Sequence, residues 1–161
     1  MLQFLLLPFI FSRTAQAQYP PRSNLTTIKS PVDGNITISY KSPPKGTCAT
    51  AFDTQKQYTG WVNVPGDYPS NIFFWFIEGR APTDHLTVWL NGGPGSSSMH
   101  GLFTGNGPCE VVELANKTLG TVMRQWGWDR GSNMLYIDQV CYTPIQSLSA
   151  GNILVYGTRR R

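Results

Sequence analysis

Four stretches of the chain are dense in aromatic, aliphatic and β-branched residues, and each is cut off by turn formers. Residues 58–64 (YTGWVNV) end at Pro65-Gly66, and residues 72–77 (IFFWFI) end at Glu78-Gly79-Arg80. Residues 86–90 (LTVWL) run into Gly92-Gly93, and residues 134–137 (MLYI) into Asp138-Gln139. Short apolar runs bounded in this way predict strands. The runs at 72–77 and 86–90 are apolar on successive residues, which predicts burial on both faces of a sheet. On that pattern Phe73, Phe74, Trp75 and Phe76 are core residues. A weaker strand is predicted over residues 35–40 (NITISY), where Ile36, Ile38 and Tyr40 alternate onto one face. Residues 97–103 form the only short helix predicted near the glycines. Strands separated by loops and short helices suggest α/β architecture, although the periodicity alone also describes a small β-rich domain.

Composition sharpens this picture only in places. Gly 16 and Pro 12 in 161 residues favour loops and short strands over long helices. The formal charge of +4 includes Arg159, Arg160 and Arg161 at one end and Arg13 at the other, so no basic stripe for nucleic acid remains. Two histidines and three scattered cysteines show no metal-ligand spacing, and no cofactor is expected.

The first residues point to export. A short apolar run over residues 4–11 (FLLLPFIF) precedes Ala15-Gln16-Ala17, the small-x-small pattern of a cleaved leader. Residues 1–17 are therefore predicted to be a signal peptide, since the run is far below the roughly 20 residues of a membrane span. The expected destination is extracellular, with a vacuole as the alternative. Three sequons agree with export, at Asn24, Asn35 and Asn116. Cys48, Cys109 and Cys141 cannot all pair within one chain, and the sequence leaves the pairing open.

Residues 89–98 (WLNGGPGSSS) carry the chemistry. A buried strand delivers the chain to a sheet edge, where glycines expose successive backbone N–H groups with no side chain in the way. Such groups can converge on a negative oxygen, as acyl transfer requires when charge develops on a former carbonyl oxygen. Asn91 adds a side-chain amide able to donate to a carboxylate.

These residues, with the segment at 73–80, Gly101-Leu102-Phe103, Asn106-Gly107-Pro108-Cys109 and residues 133–139 (NMLYIDQ), resemble the N-terminal part of serine carboxypeptidases, most closely the secreted fungal type. Residues 40–48 and 58–62 are similar to that group as well. The resemblance covers residues 20–139. It implies an α/β-hydrolase fold, here an N-terminal portion with an incomplete sheet, and removal of C-terminal residues from peptides. It implies that the Gly93 N–H is an oxyanion donor. Asn91 and the Gly92 N–H would help hold the substrate's terminal carboxylate, with Trp89 supporting them. A glutamate usual two residues before Gly107 is replaced by Gly105, and Asp129 stands second in the family's Trp-Asn pair.

No Gly-x-Ser-x-Gly elbow occurs in these 161 residues, so none of the catalytic triad is present. Ser96, Ser97 and Ser98 belong to the glycine loop, and His85 and His100 are expected to be solvated or structural. The chain divides into a signal peptide (1–17), an N-terminal arm (18–50), the carboxypeptidase-like part (51–139) and a divergent tail (140–161). The abrupt loss of match after Gln139 suggests a retained intron or frameshift in the gene model, with a truncated paralogue as the alternative. The expected product is an inactive, incompletely packed fragment of a serine-type carboxypeptidase whose substrates are peptide C-termini. A secreted non-catalytic binding fragment and an acyltransferase relative are the alternatives.

Overall fold

The computed structural model describes residues 24–67, 69–93 and 96–138, together with the backbone of residues 154–156. The proposed signal peptide and Cys141 lie outside the described residues. Among the described residues nine strands make two sheets. They are β1 (Thr26–Lys29), β2 (Thr37–Lys41), β3 (Gln57–Val64), β4 (Ser70–Ile77), β5 (Leu86–Trp89), β6 (Cys109–Glu113), β7 (Leu119–Met123), β8 (Asn133–Asp138) and β9 (Leu154–Tyr156). The main sheet runs β1-β2-β3-β4-β8-β5-β9, and β6 and β7 form a separate hairpin.

The apolar runs are strands, as their composition predicts. Their order differs from their order in the chain, because β8 lies between β4 and β5. It pairs antiparallel with β4 (Trp75 opposite Tyr136) and parallel with β5 (Trp89 opposite Tyr136). Within residues 18–50, the expected arm, the strand read at 35–40 is β2, and a second strand, β1, which the sequence reading left irregular, pairs with it at the edge of the same sheet. Within residues 140–161, the expected divergent tail, β9 pairs antiparallel with β5. Sheet dominates the described residues. Helix is confined to α1 (Ser98–His100), a π-helical continuation over Gly101–Asn106 and a 3-10 turn at Trp128–Arg130.

Strand alternation sorts the side chains. Trp75 and Ile77 of β4 and Met134 and Tyr136 of β8 fall on one face and are buried there, packed with Leu102 and the Cys48–Cys109 disulfide. Trp89, Met99 and Phe103 close the edge of this core. The expectation of two buried faces holds for β5, where Thr87 and Val88 point opposite ways and both are buried. It does not hold for β4, because Phe73, Phe74 and Phe76 are only half-buried. Phe74 and Phe76 project onto the sheet face opposite the core. Phe73 packs its edge on Trp61, and Phe76 stacks on Tyr58. In this structure these phenylalanines clothe the sheet, and Trp75 fills the core.

Candidate functional site

Strand pairing on β5 stops at Trp89, so Asn91, Gly92 and Gly93 lie beyond the ladder. The chain turns there at the C-terminal ends of two parallel strands, β5 and β8, where open α/β sheets place their ligand crevices. Serines fasten the turn to the sheet. Ser98, buried, accepts from the Asn91 N–H at 3.0 Å and donates to the Ile137 carbonyl. Ser97 caps α1, accepting from the Met99 N–H, and donates to Asp138 Oδ2 at 2.7 Å. Ser97 and Ser98 are thus occupied in building the loop.

Asn91 is oriented from both ends of its amide. Trp89 Nε1 donates to Oδ1 at 3.2 Å, and Nδ2 donates to the Ser96 hydroxyl at 2.8 Å. Because an indole nitrogen can only donate, it fixes which end of the amide is oxygen and therefore which end carries donors. Trp89 is itself hemmed in. A Cβ on Gly101 would run into its indole ring, so only glycine lets the helix approach so closely. On another side Trp128 meets it edge to face, at 5.6 Å between centroids and 88° between planes.

Trp128 is in turn positioned by its neighbour, a contact that the residue pattern alone does not reveal. Asp129 is fully buried. Its carboxylate accepts from Arg80 Nε at 2.8 Å and Nη2 at 3.0 Å, and from Gln55 Nε2 at 3.0 Å. Arg80 also donates to the carbonyls of Arg124 and Gln125, and its own N–H donates to the Asp129 carbonyl at 2.7 Å. A charge buried this deeply persists only when paired and hydrogen-bonded, and here the Arg80 contacts tie the 124–130 loop to the exit of β4 while Gln55 ties it to the start of β3. The sequence signal was present but weak: Arg80 follows a strand end, Asp129 follows a tryptophan, and 49 residues separate them.

Behind this brace, Tyr136 is completely buried and donates to Asn106 Oδ1 at 3.1 Å. Burial pushes its phenol pKa well above the ordinary tyrosine value, and the Asp129 charge adds to the rise while Arg124 opposes it. Gly105, where the resemblance implies a glutamate, is exposed, and a Cβ there would meet no atom within 4 Å. Among the described residues no other side chain fills that space. His85 and His100 are both exposed; His85 sits in the loop before β5, and the His100 carbonyl accepts from the Thr104 hydroxyl. Cys48 and Cys109 form a disulfide that ties the β2–β3 loop to the start of β6. The described residues hold no group of three metal-ligating side chains, and no helix among them is long and apolar enough to cross a membrane.

The chain was compared with known proteins. It is 44% identical over 138 residues to carboxypeptidase S1 homolog B of Arthroderma otae, covering 78% of this chain and 20% of that protein. It is 35% identical over 169 residues to a carboxypeptidase Y homolog of Arthroderma benhamiae, covering 98% of this chain and 25% of that one. A venom serine carboxypeptidase of Apis mellifera is 46% identical over 83 residues, half of this chain and 17% of its own length. The chain thus spans about a fifth to a quarter of the length of the fungal relatives. The serine carboxypeptidase family model matches residues 44–143, a stretch that holds the Asn91 corner, the brace at Arg80 and Asp129 and both disulfide-bonded cysteines. On identities of this size across most of its length, the chain belongs to the serine carboxypeptidase family.

Proposed function

We propose that the corner at Asn91, Gly92 and Gly93 receives the free C-terminal end of a peptide, as the binding half of a serine-type carboxypeptidase. The observation that carries this reading is the interrupted ladder. Strand pairing ends at Trp89, and the next donors are an asparagine amide fixed by an indole N–H and the N–H groups of two glycines. Asn91 Nδ2 and the Gly92 N–H take the terminal carboxylate, with Ser96 as the resting partner that the carboxylate displaces. The Gly93 N–H lies one residue further on and donates to the carbonyl oxygen of the last peptide bond as negative charge builds on it. A missing donor of that kind costs about 2.7–4 kcal/mol of barrier. Trp89 keeps the amide from flipping.

Hydrolysis also needs a nucleophile, a base and a group to orient the base. No serine elbow occurs in these 161 residues, so the chain by itself binds without cleaving. Export behind the leader at residues 1–17 places this binding outside the cell or in a vacuole.

Titration calorimetry of the 161-residue chain with a short peptide tests the reading, using the same peptide with its C-terminus amidated as the control. Heat is expected from the free acid, and little from the amide or from an Asn91→Ala chain. Equal heats from both peptides would reject the carboxylate site. Release of the terminal residue, or labelling by a serine-reactive phosphonate, would reject the claim that the chain is inactive alone.

A further inference from the structure

The β6–β7 hairpin is a sheet of its own, tied to the 46–49 loop through Thr121 and the Cys48–Cys109 disulfide, and it is unusually apolar for an exposed element. Val111, Leu114, Leu119, Val122 and Met123 are all exposed, Leu119 by 77%. By the β6–β7 register Val111, Leu119 and Met123 share one face and Val122 lies on the other, and exposed apolar side chains gathered on one element mark a covered site or an aggregation liability. At the tip of the same hairpin lies Asn116-Lys117-Thr118, one of the three sequons.

The loop is tightly built. The Leu114 N–H donates to the Thr118 carbonyl, and the Lys117 N–H to the Leu114 carbonyl, each at 2.8 Å. Lys117 takes the left-handed conformation, with φ 61°. Asn116 Oδ1 accepts from both the Thr118 N–H (3.1 Å) and the Thr118 hydroxyl (2.7 Å). This Asx turn brings the two recognition side chains of the sequon into contact in the folded chain and leaves Asn116 exposed. The sequon at Asn35 is built differently. Its Thr37 belongs to β2 and is half-buried, and its hydroxyl accepts from Asn63 Nδ2 at 3.1 Å, so once the sheet forms this hydroxyl is engaged by another strand.

We propose that Asn116 carries an N-linked oligosaccharide, and that this sugar covers the apolar hairpin. The donor is a lipid-pyrophosphate-linked oligosaccharide of the secretory lumen. Asn116 Nδ2 bonds the anomeric carbon while the carbon–oxygen bond to pyrophosphate breaks, and the lipid pyrophosphate leaves with the electron pair and takes up the proton that Nδ2 gives up. The looped sequon stays competent after folding, so Asn116 reaches higher occupancy than Asn35. The hairpin gains a hydrophilic cover beside Leu114 and Leu119, the two apolar residues that flank the loop. The inference is independent of the peptide-carboxylate reading, since it concerns a different surface and a different reaction.

The test expresses the full chain with its own N-terminus in a yeast secretory host and maps glycopeptides by mass spectrometry. A glycosylated Asn116 peptide, with occupancy above that of Asn35, is expected. Asn116→Gln and Thr118→Ala should each lose one oligosaccharide, and Thr118→Ser, which keeps the sequon, should retain it. Enzymatic deglycosylation should raise the binding of a hydrophobic dye to the wild-type chain and leave dye binding to Asn116→Gln unchanged. An unmodified Asn116 peptide with no glycosylated counterpart in cells or medium would overturn the site. Dye binding indifferent to deglycosylation would overturn the covering role.

Discussion

Asp129 is the residue whose removal should be felt most, and the size of the effect can be argued from its surroundings. In Asp129→Ala, the Arg80 guanidinium, whose side chain is only 14% exposed, loses a two-point ion pair, and Gln55 Nε2 loses one of its two acceptors. The Arg124 and Gln125 carbonyls still accept from Arg80, but they carry no charge to balance it. Breaking one side of a buried pair costs about 3–5 kcal/mol, a large share of the roughly 5–15 kcal/mol that holds a domain together. Asp129→Asn is the milder companion. It preserves shape and one acceptor oxygen but turns an NH2 group toward Arg80, at about 1.5–3 kcal/mol for a hydrogen bond to a charged group. Urea unfolding should show midpoints in the order wild type, Asp129→Asn, Asp129→Ala, with the slope unchanged. The double variant Arg80→Met/Asp129→Ala should recover part of the loss, because no uncompensated charge remains. The same loop carries Trp128 against Trp89, so Asp129→Asn should also weaken binding of the free-acid peptide. An Asp129→Ala midpoint shift worth less than about 1 kcal/mol, or no recovery in the double variant, would refute the brace.

Three further outcomes follow from other contacts. Gly101→Ala pushes a methyl group into the Trp89 indole, so it should cost about 1–3 kcal/mol of stability and reduce the calorimetric peptide signal more than an Ala substitution at exposed Gly105 does. Removing the Cys48–Cys109 bridge, which closes a loop of 61 residues in sequence separation, should destabilise by about 4 kcal/mol on the chain-entropy account, measured as the unfolding midpoint of Cys48→Ala/Cys109→Ala against the oxidised chain. The raised Tyr136 pKa means that the folded state holds a proton which the unfolded state gives up near pH 10. Stability from this residue is intact below that pH and is lost as pH rises above it, by up to about 1.4 kcal/mol per pH unit. Tyr136→Phe should flatten that alkaline limb in denaturation curves, and an unchanged limb would contradict the assignment.

Local pattern was enough to read several parts of this protein. The runs at 58–64, 72–77, 86–90 and 134–137 became strands because aromatic and β-branched residues suit a pleated surface and the Gly and Pro residues after them end it. The short helix expected over residues 97–103 is there as α1 and its continuation, and Gly92-Gly93 announced a place where the chain leaves its ladder. Other features stayed hidden because they depend on partners distant in sequence. Nothing near residues 133–138 says that this strand inserts between β4 and β5, a pairing fixed only when Tyr136 meets Trp75 on one side and Trp89 on the other. Cys48 had two possible partners in the sequence, and only the fold brought Cys109 within bonding distance. Nothing in the sequence pairs Arg80 with Asp129, 49 residues apart, and only packing brings their side chains to 2.8 Å. The sequence by itself determined that its densest apolar runs are strands and that one of them ends before a pair of glycines, since those follow from each residue's own shape and polarity. The tertiary structure decided which face is core, how Asn91 is aimed and what holds Trp89 beneath it, because burial, ion pairing and ring contact exist only between parts of the chain that folding brings together.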